Sequence, residues 1–428
     1  MHNPTSFPIF SFVYTSHMPT LRIRPFHAIH PTTSDATRVA SVPYDVVNRE
    51  EARIIGQENE DSFIHVVRSE IDLDPEISPY DNSVYAKAKE NFDRLREIGA
   101  LVKDKEPALY LYRQCMGDHH QVGLVACCHV EDYNNNLIRK HEKTRQVKED
   151  DRTNHVLGLN ANSGPVFLTY RGNEAIDALI DDEMNKRPIF HFVADDDVMH
   201  TGWRVENQEE LLKACEEINL AYVADGHHRS ASAARAAVEL QEKNPNHDGS
   251  EEYNWFLTVF FPAAQLDILP YNRVVFDLND NSPEELISKL SDVGTISKTD
   301  NPSPSSSGSC CIYLGKAHGW FQLDFNNIDA SNPIASLDVD LLQQRVLAPF
   351  LGIGDPRSDT RIDFVGGIRG TEELEKRVDD GNAAIAFSMY HTTIEQLLDV
   401  ADANLIMPPK STWFEPKLRS GLFVHELS

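Results

Sequence analysis

The chain has 428 residues, 41% of them hydrophobic and 25% charged, the balance of an ordinary soluble globular protein with room for two or three domains, or one large one with insertions. Its 40 Lys and Arg stand against 67 Asp and Glu, a formal charge of −27; so acidic a surface repels phosphate backbones, which argues against nucleic acid as a partner but leaves room for a locally positive pocket. Six cysteines without a Cys-x-x-Cys pair fit a reducing, cytoplasmic setting, and no run approaches the ~20 apolar residues of a membrane span.

Taken in order, residues 6–14 are mildly apolar, but Pro8 interrupts them, no basic region precedes them and no Arg occurs before Arg22. Neither a secretory signal nor a mitochondrial presequence is indicated. Residues 1–20 read as a disordered or non-native extension, with Met18 a candidate start. A main α/β region is expected over 21–300 and a second α/β region packing on it over 310–428. Residues 21–29 open as a half-buried strand, and Tyr44-Asp45 lies in an extended segment ahead of a helix over 49–56, with Asp45 or Asn48 as its cap. Residues 62–68 read as a strand and 83–98 as an amphipathic helix. Residues 107–112 and 121–130 read as neighbouring strands, in which Cys127 and Cys128 point to opposite faces as packing residues.

Residues 138–152 form a dense charged knot: Arg139-Lys140-His141-Glu142-Lys143-Thr144-Arg145, then Lys148-Glu149-Asp150-Asp151-Arg152. It is no zincin motif, because Arg145 stands where a second His belongs. As a helix, these charges are a solvated face. As a site, Lys143, Lys148 and Arg152, with His141 and Thr144, offer partners to a phosphate donor; Glu142 offers a base, and Asp150 and Asp151 a divalent cation. A strand over 166–170 follows, then helices over 174–184 and 208–218 around a strand at 190–194. His191 and His200 flank Asp195-Asp196-Asp197, a polar hairpin turn in preference to a metal site.

The stretch around which the chain is organised is Tyr222-Val223-Ala224-Asp225-Gly226-His227-His228-Arg229. Tyr222 and Val223 read as a buried strand, Asp225-Gly226 as a tight turn, and Ser230 onward as an Ala-rich helix. A strand turning through Gly into a helix gathers backbone N–H groups and the positive end of the helix dipole, which makes an anion site. Two imidazoles, a guanidinium and a carboxylate stand there together, so it is the candidate active site.

Beyond it, 255–261 reads as a strand, 266–273 as extended, 301–309 as a flexible Ser/Pro loop, and 311–314 with 320–325 as a hairpin. Helices are expected over 339–347, 371–378 and 393–401, and strands over 361–365, 383–389 and 421–425. The last knot, Met407-Pro408-Pro409-Lys410-Ser411-Thr412-Trp413-Phe414, lacks the Gly-rich lead of a Walker A loop. It is either a surface loop pinned by Trp413 and Phe414 or a loop closing over phosphate with Lys410, Ser411 and Thr412.

Together Arg24-Pro25-Phe26, Pro43-Tyr44-Asp45-Val46-Val47, Lys140-His141-Glu142-Lys143-Thr144, Ala224-Asp225-Gly226-His227-His228-Arg229, Leu269-Pro270-Tyr271-Asn272-Arg273, Asp363-Phe364-Val365-Gly366-Gly367 and Met407-Pro408-Pro409-Lys410-Ser411-Thr412 resemble a family catalogued as domain of unknown function 1015. The run Asp225-Gly226-His227-His228-Arg229 before an Ala-containing helix is also similar to the phosphate-binding turn of the ParB/sulfiredoxin-like fold, whose free-serine kinase members carry the same five residues. That likeness implies a mixed-sheet α/β (α+β) fold with a ParB/sulfiredoxin-like core and large family-specific N- and C-terminal additions. It implies that His227, His228 and Arg229 hold the transferred phosphate, with Gly226 at the turn, and that Asp225 acts through magnesium or orients the histidines. Glu142 or Asp45 would take the hydroxyl proton, with Tyr44 beside the substrate. The expected activity is a magnesium-dependent kinase acting on free L-serine or a similar small hydroxyl compound, with pyrophosphate, ADP or ATP as donor. A phosphohydrolase or nuclease, or a non-catalytic nucleotide-binding module, is the alternative, because each needs the same phosphate grip. Oligomeric state leaves no mark on the sequence.

Overall fold

The computed structural model describes residues 20–428; the extension expected at 1–20 lies, but for its last residue, outside them. A nine-stranded mixed sheet forms the centre. Its order is Ile138–Arg139, Ala221–Asp225, Val166–Tyr170, Trp255–Pro262, His119–His129, Tyr110–Met116, Met199–Arg204 and Phe190–Val193, with Ile23–Arg24 also pairing with His119–His129. Two pairings are parallel: Ala221–Asp225 with Ile138–Arg139, and Val166–Tyr170 with Trp255–Pro262. The architecture is therefore the mixed α/β class expected.

Strand alternation gives the sheet two apolar faces. Ala221, Val223, Leu168, Phe260 and Cys128 face one side, where the small Ala233, Ala234 and Ala237 let the helix His227–Lys243 lie close to the strands. That helix also packs against Gln146–Leu159. Tyr222, Ala224, Phe167, Phe261 and Cys127 face the other side. There a six-stranded antiparallel sheet, ordered Gly294–Thr299, Trp320–Phe325, Ser309–Tyr313, Ile385–Met389, Tyr271–Val275 and Ile362–Gly366, adds Ile312, Val275 and Phe387 to one continuous core. The helices Pro283–Leu290, Asp338–Leu342 and Ile394–Asp402 contribute Leu286, Leu342 and Leu397 to that same core.

This arrangement corrects the expected boundary near 300–310. The second sheet already takes in Tyr271–Val275 and Gly294–Thr299. The chain then returns to the first region, where Trp413–Glu415 pairs with Asp267–Leu269. Val424–Glu426 lies between Ala28–Pro31 and Ala161–Asn162 in a four-stranded sheet. Three local expectations also change. Residues 62–68 contain a helical turn, Ile64–Val67, instead of a strand: Phe63, Ile64 and Val66 are all fully buried, and the turn packs chiefly on the helices Asn82–Glu97 and Arg49–Glu58. A short run that is apolar throughout carries no period to separate the two. The charged knot is not one helix; Ile138–Arg139 is a strand, residues 140–145 are irregular, and the helix begins at Gln146. The organising helix starts at His227, three residues before the expected Ser230.

Phe63 packs edge-on against Phe92, with ring centroids 6.2 Å apart. Phe63→Ala should cost about 3–5 kcal/mol of unfolding free energy in urea titrations.

Candidate active site

The site is built where two parallel strands end side by side. Ala221 pairs with Ile138 and Tyr222 with Arg139, so the residues that follow each strand, His141–Arg145 and Asp225–Arg229, emerge at the same edge. The pairing with Val166–Tyr170 slips between Val223 and Asp225, which frees the end of the strand to turn. Gly226 makes that turn at φ +94°, a backbone state that costs a residue with a Cβ strain energy. Its N–H donates to Asp225 Oδ1 at 2.7 Å, and the 17-residue helix begins at once without a side-chain cap. The first-turn N–H groups therefore carry the helix dipole toward whatever lies in front of them.

A cleft of about 360 Å3 lies there, lined among others by Asp45, Glu142, Arg145, Lys148, Asp225, His227, His228 and Lys410. A smaller recess of about 110 Å3 continues it toward Thr412, Trp413 and Lys417. Asp225, one-third exposed, accepts a 2.9 Å hydrogen bond from Lys417 Nζ, which is largely covered. Burial alone would raise the Asp225 pKa, but Lys417 and Arg229 outweigh it and hold the carboxylate well below its usual range. Burial likewise opposes charge on Lys417, and Asp225 reverses that to raise its pKa. Both therefore stay ionised.

The histidines are neutral. Burial pulls His227 down to about 4, and burial with the neighbouring His227 pulls His141 down to about 3. Their rings meet edge to face at 4.5 Å. His227 Nε2 has no hydrogen-bond partner, and neither ring nitrogen of His141 meets hydrogen-bond geometry, although the Val223 carbonyl draws its pKa slightly upward. A buried imidazole nitrogen left unpaired carries a desolvation cost, and His227 forms part of the cleft wall. Burial also lowers the His228 pKa; its Nε2 accepts the Arg145 backbone N–H at 3.1 Å, which leaves the proton on Nδ1.

The other expected site residues divide in two. Lys148 and Lys410 line the cleft with Glu142, Asp45 and the Tyr44 ring, and Thr412 lines the recess. Lys410 has a left-handed backbone, φ +57°, pinned by a 3.0 Å hydrogen bond from Arg273 to its carbonyl, and the Met407 N–H donates to the His141 carbonyl at 2.8 Å. The two knots thus form one wall. Arg229 does not stand free in the cleft: it donates to the Pro165 carbonyl at 2.8 Å, lies 3.7 Å from Asp45, and its side chain is only 16% exposed. It braces the turn, where a phosphate contact was expected. Arg152 is buried against Asp151 and stacks on Tyr44 at 4.1 Å. Thr144 is bonded to Glu149 and Ser411 to the Pro408 carbonyl. Lys143 faces two neighbouring clefts.

The three expected metal ligands do not meet. Asp150 pairs with Arg235 at 2.7 Å on the helix face, Asp151 is buried with Arg152, and Asp225 is held by Lys417. Among the described residues no three His, Cys, Asp or Glu side chains form a metal-binding group. Lys417 was missed as a site residue, because its partner lies 192 positions away and no local pattern marks it. His191 and His200 lie on the paired strands of the expected hairpin; His200 bonds to Tyr112 and Arg419 in the interior.

One family model matches residues 23–340, well over half of the chain. The chain belongs to that family, the protein of unknown function DUF1015. The turn and the His141–Arg145 loop fall inside the matched span, and the Lys410 loop falls beyond it. No curated protein matches the chain. Among solved structures it is similar to a free serine kinase in complex with AMP, at 11% identity, covering 70% of this chain and 91% of that one, with a TM-score of 0.34. It is similar to SbnI with a C-terminal truncation from Staphylococcus aureus, at 11% identity, covering 70% and 87%, TM-score 0.39. A conserved hypothetical protein from Pyrococcus furiosus aligns at 12% identity over 70% and 94%, TM-score 0.33. No helix among the described residues is long and apolar enough to cross a membrane.

The buried imidazoles set the acid sensitivity. His141 and His227 keep folded pKa values near 3 and 4, against an ordinary value of 6.5. Between pH 6.5 and 4 the unfolded chain therefore binds more protons, and stability falls as pH falls. The slope is about 1.4 kcal/mol per pH unit for each such imidazole. Urea titrations at pH 7 and pH 5 should show this loss, and a smaller one in His141→Gln.

Proposed function

We propose that this chain is a phosphotransferase that moves a phosphoryl group from pyrophosphate, ADP or ATP to free L-serine or a similar small hydroxyl compound. One observation carries the reading: an uncapped helix N-terminus, Lys410, Arg145 and Lys148 converge with the carboxylate Glu142 on a single cleft of about 360 Å3, a volume at the small end of ligand sites. Phosphoryl transfer asks the protein chiefly for charge neutralisation and alignment. The first-turn N–H groups and Lys410 supply a fixed positive field for the donor phosphates, and Lys148 and Arg145 add charge at the rim. The neutral His228 has an Nδ1–H to donate, and His227 Nε2 is an unpaired group on the same wall. Neither imidazole adds charge.

Glu142 is the base in this scheme. It lines the main cleft and the recess beyond it, so a hydroxyl approaching the bound phosphate meets its carboxylate. The proton passes to Glu142 as the hydroxyl oxygen bonds to phosphorus and the leaving phosphate departs with the electron pair of the broken P–O bond. Asp45 is the weaker choice because it faces Arg229. Magnesium enters the proposal with the donor phosphates, whose charge it would neutralise when bound; Asp225 is taken up by Lys417 and Asp45 faces Arg229, so the ion would rest chiefly on the phosphates and its own waters. The shared Asp-Gly-His-His-Arg sequence is the reason to name serine first among hydroxyl compounds.

Phosphorus NMR of the protein with magnesium, serine, threonine and related hydroxyl compounds, supplied in turn with pyrophosphate, ADP or ATP, tests this directly. A new phosphomonoester resonance is expected with one donor. Inorganic phosphate as the sole product would make the chain a phosphohydrolase. Glu142→Gln should lower kcat by about 100- to 10,000-fold, the contribution of a positioned base, and leave donor affinity unchanged.

A further inference from the structure

A second cleft, of about 340 Å3, adjoins the first along Glu142, Arg145 and Lys410. Its near wall is the His141–Arg145 loop, which contributes Lys143 and Arg145. Its far wall comes from the C-terminal sheet: Arg357 in the loop before Ile362–Gly366, and Phe364 on that strand. These far-wall residues lie beyond the span matched by the family model.

Four cations, Lys143, Arg145, Arg357 and Lys410, line this cleft against two carboxylates, Glu142 and Asp359. Lys143, Arg145 and Arg357 make no ion pair within 4 Å among the described residues, which is notable in a chain of net charge −27. The one carboxylate on the far wall, Asp359, is neutralised by Arg361 at 3.0 Å. Arg361 is itself held by the Leu351 and Gly352 carbonyls, so it anchors the base of the loop and does not reach into the cleft as a free cation. The Asp355 side chain accepts the Arg357 N–H at 3.0 Å, and its carbonyl accepts from Ser358 and Asp359, so the backbone that carries Arg357 is shaped by its own turn. Lys143, Arg145 and Arg357 thus line one cleft without an ion-pair partner within 4 Å among the described residues, and Glu142, the carboxylate they share it with on the near wall, stands where this cleft meets the first.

We propose that this second cleft is the acceptor subsite, and that the acceptor is a hydroxyl compound bearing a carboxylate or phosphate group, held by Lys143, Arg145 and Arg357 with its hydroxyl turned to Glu142. The assignment rests on the phosphotransferase reading above and deepens it. The donor phosphates occupy the cleft at the helix N-terminus, and the acceptor's anion lies on the far side of Glu142. Arg357 gives the C-terminal sheet a part in substrate choice: it selects acceptors by charge, and uncharged alcohols lack the group it binds.

Calorimetric titration of the full chain with glycerate, glycerol 3-phosphate and glycerol tests the subsite without turnover. Glycerate or glycerol 3-phosphate should bind saturably and glycerol should not; the tighter of the two anions identifies a carboxylate or a phosphate as the preferred group. Arg357→Gln and Lys143→Gln, both at exposed positions, should each weaken the anionic probe about tenfold or more, the loss of one charge-assisted hydrogen bond, and leave pyrophosphate affinity unchanged. Equal affinity in wild type and both variants overturns the subsite, as does a parallel loss of pyrophosphate binding. The two readings fail separately: phosphate transfer with unaltered glycerate affinity in Arg357→Gln removes the subsite alone. Arg357-dependent anion binding without transfer to serine or to any of these compounds, from any of the three donors, removes the phosphotransferase reading and leaves an anion site.

Discussion

The contact on which this architecture depends is the ion pair between Asp225 and Lys417. Asp225 shapes the turn by accepting the Gly226 N–H, and its second oxygen receives an ammonium from a segment that begins near the end of the chain. Through it the strand-to-helix turn of the central sheet and the returning C-terminal segment fix each other. The remaining ties reinforce that join: Met407 bonds to the His141 carbonyl, Gln114 to the Lys417 carbonyl, and Ser41 pairs with Ser420. The cleft between them exists because the chain comes back to close it. Its carboxylate looks into the cleft and its ammonium is largely covered, so the pair sets the local field as well as the geometry.

That field explains how an acidic protein can offer an anion a favourable place. Net charge acts at long range and is screened within about 8 Å at physiological salt. At the cleft, the first-turn N–H groups and Lys410 stand on the wall and Arg145 at the rim, well inside that length. The imidazoles contribute no charge: burial keeps His141 and His227 uncharged at neutral pH, which suits them to fixed hydrogen-bonding roles more than to proton storage. Leaving their nitrogens unpaired costs stability, a sacrifice that structural residues seldom make and functional sites often do.

Much of this was legible in the sequence, for reasons that are local. The helix over residues 82–97 and the hairpin at 309–325 follow from apolar period and turn residues, and the turn at Asp225-Gly226 was visible because only Gly accommodates its backbone. Where the rule is non-local the sequence was silent or misleading. Residues 62–68 lack a period, so tertiary neighbours decided between strand and helix. Arg229 reads as a phosphate ligand by its place in the motif, yet Pro165 and Asp45, brought in from 64 and 184 positions away, make it a brace. Asp150 and Asp151 read as a metal pair; adjacent residues on a helix point about 100° apart, and each found its own arginine. The second sheet's early start at Tyr271 was hidden because an extended segment does not announce which sheet it joins.

In the proposed scheme the cleft at the helix N-terminus grips a chain of phosphates through Lys410 and the first-turn N–H groups. Calorimetric titration of pyrophosphate into wild type and Lys410→Ala, at low and at high salt, measures it most directly. Saturable binding to the wild type that weakens with salt is expected, with at least about tenfold weaker binding in the variant. Equal affinity in both proteins, or no saturable binding of pyrophosphate, ADP or ATP to the wild type, would contradict it.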